Sequence, residues 1–189
     1  MRIIGGELRG RVIQAPPGRG TRPMASRVRE AMFQALAPWL PDGRLLDLFA
    51  GSGCLGLEAL SRGAREVIFV ERDPKVVTLI RENVEELRMQ ERAQVRGGDA
   101  LVPYSWNGEA WADVILFDPP YPLLDDPERR PVVLAALHQL IETVLAPEGV
   151  LVFHAPRRKV DRVHFDEGLQ VAEREYGSHA LWYLQAGEQ

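Results

Sequence analysis

The sequence predicts an α/β fold: a seven-stranded, mostly parallel sheet with an antiparallel last strand and helices on its faces. Three observations predict it. Short apolar runs near 44–49, 66–71, 93–97, 112–117 and 149–154 have the length and residue types of buried strands. Amphipathic stretches separate them, and such strand–helix alternation builds a parallel sheet. The segments 169–176 and 180–185 alternate around Tyr176-Gly177-Ser178-His179 and read as a closing β-hairpin.

In order along the chain, Arg2-Ile3-Ile4 and Arg11-Val12-Ile13-Gln14 read as two short strands joined through Gly5-Gly6 and Gly10. A helix follows, with Ser26 as N-cap. Its apolar face is Val28, Met32, Leu36 and Leu40, with Arg27, Arg29 and Glu30 off that face and Pro38 and Pro41 ending it. After the strand at 44–49, a helix runs to Arg62-Gly63, where Gly63 suits the C-cap. Asp73-Pro74 opens the next helix, whose stripe is Val76, Ile80, Val84 and Leu87. Residues 100–111 read as helix or loop. Asp125-Asp126-Pro127 through Ala146 carries the longest helix, and Pro147-Glu148-Gly149 turns into the strand at 149–154.

The length of 189 residues suits a single domain, 1–189, divided into an extension at 1–42 and a core at 43–189. No apolar run approaches the roughly 20 residues of a membrane span, and the polar, glycine-rich start is unlike a signal peptide. The single cysteine, Cys54, excludes an internal disulfide and fits a reducing cytoplasm. The four histidines lack metal-ligand spacing, so no metal is expected.

The strand at 44–49 runs into Gly51-Ser52-Gly53-Cys54-Leu55-Gly56, a G-x-G-x-x-G turn that opens a helix. Glycine allows the sharp turn and the close approach of a ligand. Four carboxylates accompany it: Asp47 in the first strand, Glu71 and Asp118 at two strand ends, and Asp99 just past a third. Ligands of such sheets bind beyond the carboxyl ends of the strands, so all four acids are expected on one rim. An acidic rim repels a pyrophosphate. It suits S-adenosylmethionine, whose sulfonium and ammonium are cationic and whose ribose diol a carboxylate can grip. Glu71 stands 20 residues after Gly51, the spacing of a ribose-binding acid.

Asp118-Pro119-Pro120-Tyr121 follows the fourth strand directly. Each proline stiffens the residue before it and removes a backbone donor. The turn therefore presents fixed acceptors, the Asp118 carboxylate and the Pro119 carbonyl, suited to both hydrogens of an exocyclic amino group. Tyr121 can stack on a nucleobase that is unpaired or extruded. Methyl transfer to such a nitrogen is an in-line displacement helped mainly by positioning.

Charge is uneven. Residues 1–30 hold seven arginines against Glu7 and Glu30, a sum of +5, while the whole chain carries −4. A basic arm on an acidic body points to a polyanion, and arginine makes bidentate phosphate contacts.

The chain resembles the bacterial RsmD family, the small-subunit (16S) rRNA guanine-N2 methyltransferases of the class I S-adenosylmethionine-dependent superfamily. The resemblance rests on Arg2-Ile3-Ile4-Gly5-Gly6 with Arg9-Gly10-Arg11, Thr21-Arg22-Pro23, and Arg27-Val28-Arg29-Glu30-Ala31-Met32-Phe33. It continues through Asp47-Leu48-Phe49-Ala50-Gly51-Ser52-Gly53, Gly56-Leu57-Glu58-Ala59-Leu60-Ser61-Arg62-Gly63 and Asp118-Pro119-Pro120-Tyr121. It implies a Rossmann-like class I methyltransferase fold preceded by a β-hairpin and helix. It also implies a cytoplasmic, monomeric enzyme acting on small-subunit rRNA, within an assembling particle. By motif, Asp47, Phe49, Ala50, Gly51, Ser52 and Gly53 would surround the methionine part of the cofactor. Glu71 with Arg72 would hold the ribose, and Asp99 with Ala100 would lie near the adenine. Asp118, Pro119, Pro120 and Tyr121 would hold the target base, and Arg9, Arg11, Thr21, Arg22 and Arg27 the RNA. Met24 and Ser26 depart from the family's usual threonine and aspartate, and Tyr121 from its common phenylalanine. Asp-Pro-Pro-Tyr equally suits an adenine-N6 methyltransferase of RNA or DNA. A non-catalytic RNA-binding assembly factor on the same fold is the alternative outside enzymes.

Overall fold

The computed structural model describes residues 1–16, 24–106 and 111–187. The apolar runs form β1 (Arg44–Leu48), β2 (Glu66–Glu71), β3 (Ala93–Gly97), β4 (Ala112–Phe117) and β5 (Leu145–Pro156), and the hairpin forms β6 (Leu169–Tyr176) and β7 (His179–Ala186). Their order in the sheet is β3-β2-β1-β4-β5-β7-β6. Pairings are parallel from β3 to β5, and β7 runs antiparallel to both β5 and β6. The chain steps outward from β1 to β3, then returns to place β4 on the other side of β1. The strand order therefore reverses between β1 and β4, where ligands of open α/β sheets bind.

Successive side chains of a strand point to opposite faces, and each face has its own core. Leu45, Val67, Phe69, Val114 and Leu116 pack with α1 (Ser26–Ala35), α2 (Cys54–Ser61) and α3 (Pro74–Glu86). Leu46, Leu48, Ile115, Phe117 and Phe153 pack with α4 (Tyr121–Asp125) and α5 (Arg130–Thr143). Burying both faces is what makes these strands read as continuous apolar runs.

Five local expectations are corrected. The long helix expected over 125–146 is the shorter α5, Arg130–Thr143, and a separate short helix, α4, precedes it; between them Asp126, ahead of Pro127, is extended (φ −76°, ψ 117°). The expected end of the long helix belongs to β5: Leu145 pairs with Ala112, and the register shifts before Val150 pairs with Val114, leaving Pro147 and Glu148 exposed. Ser26 is the first residue of α1 and not its cap; that place is held by Ala25, without a side-chain bond. The first helix ends at Ala35, ahead of Pro38. Among the described residues the N-terminal hairpin has a single bridge, Arg2 to Val12, in place of two strands. Ile3, Gly10 and Ile13 N–H donate across the hairpin, but other donors go elsewhere: Ile4 and Gly5 N–H donate to Glu58, and Leu8 N–H donates to the Ser61 hydroxyl. Within the described part of 100–111, a 3₁₀ turn covers Pro103–Ser105.

Arg29 is the larger surprise. Placed by periodicity on the polar side of α1, it is 3% exposed. Its Nη1 donates to the Cys54 Sγ at 2.6 Å and its Nη2 to the Arg2 carbonyl at 2.7 Å, with Nε 4.0 Å from the fully buried Glu58. Glu58 also accepts from Arg62 Nε at 2.8 Å. A buried carboxylate needs this much compensation. The tie fixes the N-terminal extension to α2. Asn83 of α3 makes a second tie. Its Oδ1 accepts Gln14 N–H at 2.8 Å, and its Nδ2 donates to the Gln14 and Ser52 carbonyls, both at 3.0 Å.

Candidate active site

The turn after β1 is built from left-handed backbone: Phe49 at φ 59°, Gly51 at 54° and Gly53 at 74°. Such a conformation is costly for phenylalanine and cheap for glycine. The Phe49 ring is held edge-on against Phe117 at 5.5 Å. The three glycines of the motif have different tasks. A Cβ on Gly51 would meet only the Phe49 carbonyl oxygen at 3.8 Å, so that position is open to a ligand. A Cβ on Gly56 would come within 2.2 Å of the Phe69 ring, so that glycine lets α2 lie close on β2. Gly53 precedes α2 and has Ile80 beside it. Ser52 is buried, and its hydroxyl lies 3.1 Å from the Met1 sulfur. Ala50 is buried and its N–H donates to the Val70 carbonyl.

The acids do not share one rim. Asp47 is 1% exposed and lies under the turn, where its Oδ2 accepts the Gly56 N–H at 2.8 Å. Burial raises its pKa well above the ordinary carboxylate range, and the charges of Asp118 and Glu71 raise it further. Glu71 sits at the exit of β2 and clamps the turn. Its Oε2 accepts Gly51 N–H at 3.0 Å, and its Oε1 accepts the N–H groups of Arg72 at 2.8 Å and Asp73 at 3.0 Å. Asp99, two residues past β3, is exposed and accepts Leu101 N–H at 2.9 Å, beside the buried Ala100. Arg72 is exposed.

Asp118 leaves β4 one residue after Phe117, followed by buried Pro119 and half-buried Pro120. Its Oδ1 is 2.8 Å from His154 Nδ1. His154 is 5% exposed, on β5, and belongs to a ring cluster. Tyr121 lies edge-on to it at 5.9 Å and stacks on His179 at 5.0 Å, and the two histidine rings are 5.4 Å apart. Sequence reasoning missed both histidines. One signal was present: His154 is the polar residue that follows Val150-Leu151-Val152-Phe153, as Asp118 follows the apolar run of β4.

Of the predicted RNA contacts, Arg9, Arg11 and Arg27 fall among the described residues. Arg9 and Arg11 are exposed on a hairpin whose turn meets the C-terminal ends of α2 and α3: Leu8 N–H bonds Ser61, and Arg11 Nη2 bonds the Glu86 carbonyl. Arg27 is exposed on α1, whereas Thr21 and Arg22 lie outside the described residues.

An open, acid-flanked turn beside a fixed acceptor carboxylate fits a cationic cofactor that carries a diol. Glu71 retains acceptor capacity toward Gly51, and Asp47 lies beneath. Among the described residues no cluster of histidine, cysteine and carboxylate side chains has metal-site geometry.

Comparison with known proteins agrees with this geometry. The family model described as conserved hypothetical protein 95 matches residues 1–185. The ribosomal RNA small subunit methyltransferase D of Escherichia coli K12 is 40% identical over 121 residues, 64% of this chain and 60% of that protein. The matched stretch is thus under two thirds of that relative's length. The solved structure of yhhF from Escherichia coli superposes with a TM-score of 0.83 at 30% identity, covering 100% of this chain and 99% of that one. A hypothetical protein of Thermus thermophilus superposes at 0.75 with 33% identity, over 98% and 99% of the two chains. The chain belongs to the family of conserved hypothetical protein 95, the RsmD family, and folds as a class I, Rossmann-like methyltransferase.

Proposed function

We propose that this chain transfers a methyl group from S-adenosylmethionine to the exocyclic N2 of a guanine in small-subunit rRNA, in the cytoplasm. One observation carries the proposal: the Asp118 carboxylate, fixed by His154, at the switch point of the sheet and beside the glycine turn. A carboxylate only accepts hydrogen bonds and can accept two at once. With Oδ1 held by His154, Asp118 Oδ2 and the Pro119 carbonyl suit the two hydrogens of an exocyclic amino group; the resemblance to the guanine-N2 methyltransferases favours guanine, and the name of the Escherichia coli relative supports rRNA as the substrate.

The cofactor supplies an electrophilic methyl group when bound. Glu71 would hold its ribose and Asp47 would offset its cationic end, while Gly51 leaves room for it. Asp118 and the Pro119 carbonyl hold the amino hydrogens, so the nitrogen lone pair is released from the ring and turned toward the methyl. Transfer would form the N2–C bond as the methyl–sulfur bond breaks, leaving the cofactor as the neutral thioether, and the proton that N2 loses would pass to Asp118. Tyr121 stacks on the base. The N-terminal extension, 1–42, holds the rRNA.

The test is methyl transfer from labelled S-adenosylmethionine to small-subunit rRNA, both naked and partly assembled, with the modified nucleoside identified by mass spectrometry. N2-methylguanosine is the expected product. N6-methyladenosine would overturn the base assignment, and RNA binding without transfer would leave the assembly-factor alternative. Asp118→Ala should lower kcat by about 10²–10³-fold with cofactor affinity kept. Equal loss of both would remove Asp118 from the acceptor site.

A further inference from the structure

We propose that His154 is a positioning residue for the acceptor carboxylate. It holds Asp118 Oδ1 so that Oδ2 is left facing the amino group of the target base. The inference rests on the methyltransferase reading above and names a part of the site that the motif does not contain.

The motif leaves the carboxylate itself loose. Pro119 and Pro120 fix the backbone after β4, but they do not fix the side-chain torsions of Asp118, whose side chain is 30% exposed. A carboxylate at the rim with free torsions presents its oxygens in many directions. His154 removes that freedom. Its Nδ1 lies 2.8 Å from Asp118 Oδ1, and since the carboxylate can only accept, Nδ1 carries the proton. The ring cannot follow the carboxylate around. It is 5% exposed and flanked by two rings, Tyr121 at 5.9 Å and 69° and His179 at 5.4 Å and 60°. Its backbone is mid-sheet, between β4 and β7, with His154 paired to Leu181.

The arrangement also joins the two halves of the acceptor site. Tyr121, the stacking ring, lies nearly parallel to His179 (5.0 Å, 18°), and both rings touch the histidine that holds the carboxylate. Hydrogen bonding to Asp118 and stacking on Tyr121 thus share one support drawn from β4, α4, β5 and β7. An error of about 1 Å in such a site costs about 10²-fold in rate.

The test compares His154→Leu with His154→Asn in the full chain. Asparagine places its amide nitrogen where Nδ1 stands and keeps the donor, whereas leucine keeps bulk and loses the donor. For His154→Leu, kcat should fall about 10–100-fold with the KM for S-adenosylmethionine unchanged. His154→Asn should recover kcat to within several-fold of the wild type. Thermal unfolding of both variants separates positioning from folding. Wild-type kcat in the leucine variant would overturn the proposal, as would equal loss in two variants that remain folded. A ¹⁵N spectrum of the imidazoles gives a readout independent of turnover: His154 should carry its proton on Nδ1 in the wild type and lose that preference in Asp118→Ala. A proton on Nε2 in the wild type would also overturn it. If the wild type itself transfers no methyl to rRNA, it is the methyltransferase reading that fails, and the spectrum still decides the His154–Asp118 bond.

Discussion

Asp47 is a carboxylate that folding disfavours. Among the described residues its hydrogen-bond partner is the Gly56 N–H, and burial raises its pKa. A carboxyl group with a raised folded pKa binds its proton more tightly when folded. Its favourable contribution is present at low pH and lost as pH rises from the ordinary value near 4 through the raised one. Asp47→Asn keeps the shape and the acceptor for Gly56 but has no charge to bury. The variant should melt higher than the wild type at pH 8, by roughly 2–4 °C for each kcal/mol of relieved burial, and the gap should close toward pH 4. Its affinity for S-adenosylmethionine, measured by calorimetry, should fall, since the charge proposed to offset the cofactor's cationic end from beneath the turn is gone. A lower melting temperature at pH 8 would show that the charge is compensated in the fold.

Among the elements, α2 joins the cofactor turn at its N-terminus to the arm along its flank. Glu58, fully buried, holds Ile4, Gly5 and Arg62 and faces Arg29. Glu58→Gln leaves two arginines short of a counter-charge and turns one acceptor into a donor. It should cost about 3–5 kcal/mol in urea unfolding, with earlier proteolytic cleavage within 1–16; an unchanged midpoint would mean that the arm docks without it. This scale also shows what a sequence discloses. The five parallel strands and the hairpin were legible because apolar runs and turn residues are local signals. The glycine turn, Glu71 and Asp-Pro-Pro-Tyr were legible because strand ends converge on one rim. Asp47 is the exception: it precedes the last residue of β1, and its side chain turns under α2. Pairings across the fold were hidden. Arg29 reads as surface until Glu58 arrives from another helix, and His154 stands 36 residues from Asp118, joined to it only by the sheet. Asp126-Pro127 was legible as the start of a helix, but the short turn of α4 ahead of it, over Tyr121–Asp125, has no periodicity long enough to read.

Across the whole molecule, the turn of the basic arm beside Arg9 meets the C-terminal end of α2, while the arm's open end reaches the cofactor turn through Met1 and Gln14. Arg9 and Arg11 are therefore expected to contribute binding without touching the chemistry. Replacing both with glutamine should raise the KM for rRNA and leave kcat at saturation unchanged. The slope of log affinity against log salt should flatten by about 0.7–0.9 for each phosphate that the arm no longer neutralises. An unaltered slope would remove the arm from the RNA interface. Asn83 gives the arm's open end a further meaning. A single buried amide holds Gln14 of the arm with one hand and the Ser52 carbonyl of the cofactor turn with the other. Two ligands that each settle one side of the same amide are bound by reciprocity: whatever factor the cofactor adds to the grip on RNA, RNA must return to the grip on the cofactor. The same equality applies to a product complex of demethylated cofactor and methylated RNA, whatever the sign of the coupling.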